Sequence, residues 1–209
     1  MDIIHSAFSL AGAYLIGSIP TSVWVGKAFY DIDIREHGSG NAGATNTFRV
    51  LGAKAGIPVF LIDVAKGWFA LMLAAYSGFK LGSESFAIFQ LVLGVAAFLG
   101  HVFPVFANFR GGKGVATLTG VSIAIHPFAT LCAAAIFTIT FLASGYVSIG
   151  SLLAAIAFPL LVNFSFGQTT LSIAAFSISV AIMLILTHRK NIKRLVEGQE
   201  HKFTFGKWL

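Results

Sequence analysis

The sequence predicts an all-α integral membrane protein with seven transmembrane helices, an external N-terminus and a cytoplasmic C-terminus. Of the 209 residues, 56% are hydrophobic and only 11% are charged, whereas about 25% of the residues in soluble domains are charged. The mean hydropathy is +0.85, and long apolar runs recur along the whole chain. Positive charge is concentrated between particular runs. A soluble cytosolic protein is therefore excluded.

Five apolar segments are each long enough to cross a bilayer core, which takes about 20 helical residues. They are residues 3–27, 55–79, 86–107, 145–164 and 169–188. A sixth segment, residues 114–143, is long for one span and short for two. It contains His126 and Pro127 near its centre. Because proline lacks an amide hydrogen and disfavours helical geometry in the residue before it, we expect a break there.

The distribution of positive charge decides between six and seven spans. Of the 14 lysines and arginines, 12 lie in residues 27–54, 110–113 and 189–207. A single span over residues 114–143 would place the last group opposite the other two, against the positive-inside tendency. Two short or tilted spans place all three groups on the cytoplasmic side. The outer connections, near 78–85, 126–127 and 165–168, are then short and carry little chemistry.

The chain is expected to form one transmembrane domain over residues 1–209. Its first residues carry no positive charge, so the first apolar run is interpreted as a retained helix rather than a cleaved signal. The single cysteine, Cys132, lies within an apolar run. We expect it to pack rather than to react.

The first cytoplasmic loop contains a glycine-rich segment, residues 38–49, with the sequence GSGNAGATNTFR. Glycines at 38, 40 and 43 allow backbone amides to turn inward, and such turns bind anions. Side chains of Ser39, Thr45 and Asn46 can add donors, and Arg49 offers a planar fork suited to phosphate oxygens. A merely flexible loop is the alternative, but flexibility alone does not require these donors.

A second glycine-rich segment, residues 111–114, leads into an apolar helix and contains Lys113. Amides at a helix N-terminus, with a lysine in front of them, form an anion site. The spacing GxxxxGK[ST] is absent, so nucleotide binding does not follow. A basic turn at the membrane interface is the alternative interpretation.

The third polar segment, residues 188–202, closes the last span. If the helix continues past His188, Asn191 falls on the same face, and both side chains point at one ligand. The alternative is that the neighbouring cations only anchor the chain to anionic lipid. Lipid anchoring does not explain why an imidazole, His188, and a carboxamide, Asn191, occur in this segment.

Two charged residues, Asp63 and Lys66, lie inside the second span and share one helix face. Intramembrane charges often indicate function, but we favour a pair that neutralises itself and braces the loops. His5 and His126 are interpreted as structural residues near the outer side. The sequence contains no GxSxG elbow, HxxxxD pair, dinucleotide fingerprint or metal-ligand spacing. Any reaction must therefore rely mainly on positioning and charge stabilisation.

These motifs, in this order, resemble the bacterial membrane acyl-phosphate:glycerol-3-phosphate acyltransferases of the PlsY type. The resemblance covers essentially the whole chain. It is carried by GSIP at residues 17–20, the first glycine-rich segment, HVFPVF at 101–106 with FRGGKGVAT at 109–117, and HRKNIKRLVEGQEHK at 188–202.

The resemblance implies acyl transfer from acyl phosphate to the sn-1 hydroxyl of glycerol 3-phosphate, yielding lysophosphatidic acid and inorganic phosphate. The catalytic residues it implies are Ser39, Arg49, Lys113, His188 and Asn191. The phosphate-binding residues it implies are Gly38, Gly40, Asn41, Gly43, Thr45, Asn46, Gly111, Gly112 and Gly114. Glu200 is implied as a structural acid.

The same resemblance implies a multi-pass protein of the bacterial inner membrane with its active site on the cytoplasmic face. We expect a monomer that binds the two substrates and membrane lipids, without a cofactor, a metal ion or nucleic acid. An acyl phosphate is a mixed anhydride with a good leaving group, so no enzyme nucleophile is required. The attacking hydroxyl can lose its proton to a substrate phosphate, favoured here, or to His188.

The main alternative function is transport of a phosphorylated metabolite, because several helices around a basic inner vestibule also suit a transporter. Two observations weigh against it. The predicted outer face offers no comparable polar site, and no inverted repeat links the two halves of the chain.

Overall fold

The structure is a computed structural model, and it describes residues 3–165 and 170–203. The chain divides into two compact units, Met1–Ala124 and Ile125–Leu209, and each is described by itself. A single domain over residues 1–209 remains a prediction. Residues 166–168 of the predicted outer connection and Lys207 of the predicted basic tail lie outside the described residues.

The first unit consists of helices, three of which pack against one another. Their bounds are α1 Ile3–Gly17, α2 Thr21–Tyr30, α3 Ala44–Leu51, α4 Ala53–Met72, α5 Glu84–Val102 and α6 Val115–Ile125, whose last residue lies beyond the unit. Helix α1 packs against α5 and α4. Small buried residues, Ala13, Ala70 and Ala97, lie at these contacts, which lets the backbones approach closely.

The first predicted span, residues 3–27, is not one continuous helix. Helix α1 ends at Gly17, α2 begins at Thr21, and the two are bent by 44°. Pro20, directly before α2, has no amide hydrogen to continue the helical ladder, so the chain turns there. The expected apolar segment is present, but a polar turn interrupts it.

The second unit consists of α7 Pro127–Ser144, α8 Val147–Leu160, a π-helical turn Leu161–Ser165, α9 Leu171–Thr187 and α10 Arg189–Val196. Helix α8 packs against α7 and α9. The expected break at His126 is confirmed, because α7 begins at Pro127 and the His126 ring nitrogen Nδ1 accepts a hydrogen bond from the Ala129 amide at 3.2 Å. His126 therefore caps a helix, as expected of a structural residue.

The described part of the chain contains four helical segments long and apolar enough to cross a membrane, or up to six if each bent pair forms one span. Helix α6 has 11 residues, and at about 1.5 Å per residue it is shorter than a bilayer core of about 30 Å. Many large apolar side chains are exposed, including Phe8 at 73% and Leu131 at 68%. Such exposure is typical of a protein that faces lipid. The fold is therefore an all-helical integral membrane fold with four to six candidate spans.

Candidate active site

The first glycine-rich segment, residues 38–49, follows a turn that an ion pair holds in place. Asp33 caps the 3₁₀ turn Ile34–Glu36 by accepting a hydrogen bond from the Arg35 amide. The Arg35 guanidinium binds both carboxylate oxygens of Asp33, at 2.9 and 2.6 Å, and donates to the Ala107 carbonyl at 2.9 Å. Arg35 thereby ties the start of this loop to the loop that precedes the second glycine-rich segment.

The Asp33–Arg35 contact also favours the charged form of both groups. Hydrogen bonding from Arg35 is the main reason that the pKa of the Asp33 carboxyl lies well below its usual value. The same hydrogen bond raises the pKa of the Arg35 guanidinium. Both side chains are only 13% exposed, so solvent screens this pair less than an open surface pair.

Asn46 organises the first glycine-rich segment from its interior. The Asn46 side chain is buried, and its amide nitrogen Nδ2 donates to the carbonyls of Ile34 and His37, both at 3.0 Å. Its oxygen Oδ1 accepts from the Ser39 amide at 2.8 Å. Both amide hydrogens of Asn46 are thus already donated to carbonyls. Asn46 therefore shapes the loop, and its binding to a phosphate stays a prediction.

The other predicted residues of this segment lie in the loop or on α3. Gly38 has a φ of +61°, and a methyl group there would overlap Asn46 Oδ1, so glycine is required on both counts. The side chain of Ser39 is exposed, while Asn41, Thr45 and Arg49 are half-buried. Thr45 and Arg49 are four residues apart on α3 and share one helix face.

The second glycine-rich segment, residues 111–114, runs back along the end of α5. The Gly111 amide donates to the Val102 carbonyl at 3.2 Å, and the Gly112 amide donates to the His101 carbonyl at 3.1 Å. These two amides are therefore engaged with backbone, and phosphate binding by Gly111 and Gly112 stays a prediction. Half-buried Lys113 follows them, just before α6 begins at Val115.

Space as well as hydrogen bonding explains the glycines of the second segment. A methyl group at Gly111 would overlap the His101 carbonyl oxygen, and one at Gly112 would overlap the His101 ring nitrogen Nε2. The same methyl at Gly112 would lie 2.8 Å from the Ala42 carbonyl. Since Ala42 belongs to the first glycine-rich segment, the two segments lie against each other in the first unit.

The predicted intramembrane pair is present and buried. Lys66 Nζ lies 2.8 Å from Asp63 Oδ1, and the two residues are 4% and 1% exposed. This confirms a self-neutralising pair on one face of α4. The sequence did not indicate its further partners: Thr21 Oγ1 donates to Asp63 at 3.0 Å, and Lys66 donates to the Ile19 carbonyl at 2.9 Å. In the sequence, the Thr21 hydroxyl directly after Pro20 could have indicated the contact with Asp63.

In the second unit, His188 lies at the junction between α9 and α10, and the two helices are bent by 60°. The helix does not continue unbroken past His188, because His188 adopts φ −93° and ψ 3°, outside the helical range. Its ring is 2% exposed, and Nδ1 lies 2.7 Å from the Leu184 carbonyl. A carbonyl only accepts, so we assign the proton to Nδ1, which makes Nε2 the basic nitrogen of the neutral ring.

Asn191 and Glu200 form the other polar contact of this motif. The buried Asn191 donates from Nδ2 to Glu200 Oε1, and Arg194 Nε donates to Glu200 Oε2 at 2.7 Å. Burial opposes ionisation of Glu200, but the hydrogen bonds from Arg194 and Asn191 outweigh it and lower the pKa of this carboxyl. Within the described residues, Asn191 Oδ1 is buried without a hydrogen-bond partner. Asn191 therefore offers an acceptor.

The segment after α10 is attached to the turn between α7 and α8. The Phe203 amide donates to the Gly145 carbonyl at 2.8 Å, and Lys202 Nζ lies 5.5 Å from the centre of the Tyr146 ring. Such a cation–π contact contributes about 0.5–1 kcal/mol at an exposed site. These contacts hold Glu200 near α10, where it orients Asn191.

Comparison with known proteins identifies the family. The family model described as glycerol-3-phosphate acyltransferase matches residues 7–198. The glycerol-3-phosphate acyltransferase of Chlorobium luteolum is 44% identical over 226 aligned positions, which cover 95% of this chain and 96% of that protein. That of Fusobacterium nucleatum is 44% identical over 192 positions, covering 92% and 95%.

Two solved structures are similar over nearly the whole chain. One is the crystal structure of PlsY (YgiH), an integral membrane glycerol 3-phosphate acyltransferase, in its glycerol 3-phosphate form, with 37% identity, a TM-score of 0.87 and 97% of each chain covered. The lysophosphatidic acid form of PlsY has the same identity, a TM-score of 0.83 and 95% coverage of each chain. With residues 7–198 matched by the family model, this chain belongs to the glycerol-3-phosphate acyltransferase family.

Proposed function

We infer that this protein transfers a fatty acyl group from acyl phosphate to the sn-1 hydroxyl of glycerol 3-phosphate, releasing inorganic phosphate and forming lysophosphatidic acid for phospholipid synthesis. The observation that carries this inference is the family match over residues 7–198. The acyl phosphate donor is what the resemblance to the PlsY-type family implies. The sequence is consistent with it, because a mixed anhydride has a good leaving group and the motifs contain no GxSxG elbow or HxxxxD pair.

Charge stabilisation is the main task of the residues in the first unit. Two phosphate-bearing substrates repel each other, and the cations Arg49 and Lys113 offset that repulsion. Ser39 adds an exposed hydroxyl on the first glycine-rich segment. We assign Thr45 and Asn41 to phosphate binding beside Arg49. Direct attack of the glycerol hydroxyl on the acyl carbonyl then expels phosphate without a covalent acyl-enzyme.

Recognition of the glycerol hydroxyls is the task we assign to the second unit. His188 Nε2 and Asn191 Oδ1 are hydrogen-bond acceptors, and acceptors suit hydroxyl groups better than they suit an anionic phosphate. The hydroxyl proton passes to a substrate phosphate, whose second pKa is about 6. A His188→Gln variant that keeps the acidic limb of the pH–rate profile supports this route, and loss of that limb assigns the base to imidazole.

We further propose seven spans, with the N-terminus outside and the active site at the cytoplasmic face of the inner membrane. The concentration of lysine and arginine in three segments on one side supports this topology, in which α6 and α7 are the short fourth and fifth spans. In a Cys132→Ser background, an impermeant maleimide should label Lys80→Cys in spheroplasts but label His201→Cys only after lysis. Labelling of both sites before lysis would reject the topology. We expect a monomer, which light scattering of the detergent-solubilised protein tests.

The direct test of the reaction uses purified protein with palmitoyl phosphate and labelled glycerol 3-phosphate. We expect labelled lysophosphatidic acid from the wild type and full activity in Cys132→Ser. In Lys113→Ala and His188→Ala we expect the activity to fall about 10²-fold or more, because charge stabilisation or positioning is removed. An inactive but folded Cys132→Ser protein would overturn direct attack. Uptake of glycerol 3-phosphate into proteoliposomes without any acylated product would support the transporter instead.

A further inference from the structure

A buried polar cluster lies beneath the two glycine-rich segments, and the proposed reaction does not use it. We define the buried cluster as Thr21, Asp63, Lys66 and His101, each 1–6% exposed. The carboxylate of Asp63 lies at its centre. Its Oδ1 accepts from Thr21 Oγ1 at 3.0 Å and from Lys66 Nζ at 2.8 Å, and it lies 3.9 Å from His101 Nδ1.

One side of the buried cluster holds the turn between α1 and α2. Lys66 donates to the Ile19 carbonyl at 2.9 Å, and Thr21 is the first residue of α2. Pro20, between Ile19 and Thr21, cannot donate a backbone hydrogen bond. The two side-chain contacts therefore supply the anchoring that the broken helical ladder lacks at this turn.

The other side holds the second glycine-rich segment through His101. The His101 carbonyl accepts from the Gly112 amide at 3.1 Å. Its ring lies so close to Gly112 that a methyl group there would overlap Nε2. Within the described residues, His101 Nδ1 is buried and has no hydrogen-bond partner. The ring is thus held by packing and by its position beside Asp63.

A small cavity shows that both glycine-rich segments rest on this cluster. Its volume is about 10 Å³, room for about one water molecule. The buried cluster lines it, together with Ala42 from the first segment and Gly111 from the second. One group of polar side chains is therefore in position to set the spacing of the two segments that carry Arg49 and Lys113.

We propose that Asp63, Lys66 and His101 are positioning residues, which hold the two glycine-rich segments at the separation that phosphate binding requires. This inference rests on the proposed function of those segments. An ion pair that only neutralised its own charge would not need contacts to Thr21, Ile19 and Gly112. In the proposal, these contacts anchor the two segments and are the function of the buried cluster.

The two explanations predict different behaviour when both charges are removed. Deleting one partner of a buried ion pair is strongly destabilising, whereas replacing both by apolar groups is often neutral or stabilising. An Asp63→Leu/Lys66→Met double variant should therefore regain the thermal stability that each single variant loses. It cannot restore the contacts to Thr21 and Ile19.

The experiment compares melting temperature, kcat, KM for both substrates and amide exchange over residues 101–118 in the wild type, the single variants and the double variant. We expect the double variant to melt near the wild type, to raise KM for a phosphate-bearing substrate about 10-fold or more, and to exchange the Gly111 and Gly112 amides faster. The control is Lys193→Gln/Glu197→Gln, which removes an exposed ion pair and should change none of these quantities.

A double variant that regains both stability and wild-type KM would overturn the proposal. If that variant does not fold, His101→Gln decides instead: a raised KM with faster exchange at Gly112 supports positioning, and wild-type values for both reject it. Exposed His5→Gln is its matched control. Should the wild type form no lysophosphatidic acid, the proposed function fails, while the exchange measurement still tests the positioning.

Discussion

The two glycine-rich segments lie against each other but are held by different means. In the first, side chains do the holding: Asn46 binds two carbonyls and one amide, and Arg35 binds Asp33 and the Ala107 carbonyl. In the second, the backbone does the holding: the amides of Gly111 and Gly112 bind carbonyls at the end of α5.

The two segments should therefore tolerate different substitutions. The first segment depends on the chemistry of particular polar atoms, so an isosteric change that removes a donor should damage it. The second depends on close approach of backbone to backbone, so any added side chain should damage it, whatever its polarity. The two segments are both rich in glycine, yet the first should be sensitive to the loss of a donor and the second to added volume.

The largest effect is expected from adding a methyl group to the second segment. In Gly111→Ala the new carbon would overlap the His101 carbonyl oxygen, and backbone must move to relieve it. A displacement of about 1 Å near reacting groups can cost about 10²-fold in rate, which the lysophosphatidic acid assay measures. The control is Gly78→Ala, which strains the backbone at φ +77° but meets nothing within 4 Å and should lose less activity. Equal activity of both variants would show that the second segment is not tightly packed.

A smaller loss is expected from Asn46→Asp, which keeps the shape of the side chain but removes both donated hydrogens. The carbonyls of Ile34 and His37 lose their partner, at a cost of about 1–3 kcal/mol. We expect activity to fall about tenfold, which corresponds to about 1.4 kcal/mol, and melting temperature to fall with it. Neighbouring Thr47→Val removes a single hydrogen bond to Gly43 and should have a weaker effect. The reverse order would refute side-chain control of this loop.

The smallest effect is expected at the ion pair that begins the first loop, and it should depend on pH. Since the folded state lowers the pKa of Asp33, the pair stabilises the protein fully above the unfolded value of about 3.9. That contribution is lost as pH falls below about 4 toward the folded pKa. Asp33→Asn should therefore melt below the wild type at pH 7, with the difference shrinking near pH 3. A difference independent of pH would contradict an ionic origin.

Local chemistry made several features predictable from the sequence. Proline without an amide hydrogen predicted the break at Pro127, and i,i+3 spacing predicted the contact of Asp63 with Lys66. Glycines in runs predicted tight turns at both segments. Such inferences succeed because the cause lies within a few residues of the effect.

Other features depended on partners distant in sequence. Asn46 was expected to serve a phosphate, yet its donors bind carbonyls 12 and 9 residues away. His101 contributed to the family resemblance but carried no predicted role, since its neighbours Asp63 and Gly112 come from other segments. No proline precedes or follows His188 closely enough to predict the bend there.

The sequence by itself determined an apolar, helical, membrane-embedded chain of the glycerol-3-phosphate acyltransferase family, because composition, charge sorting and motif order are local or additive properties. Only the tertiary structure decided which polar atoms are already satisfied. It placed Asn46 and the Gly111 and Gly112 amides in structural hydrogen bonds, and it placed one buried carboxylate beneath both glycine-rich segments. Hydrogen-bond satisfaction is a property of three-dimensional neighbours, and the linear order of residues does not specify it.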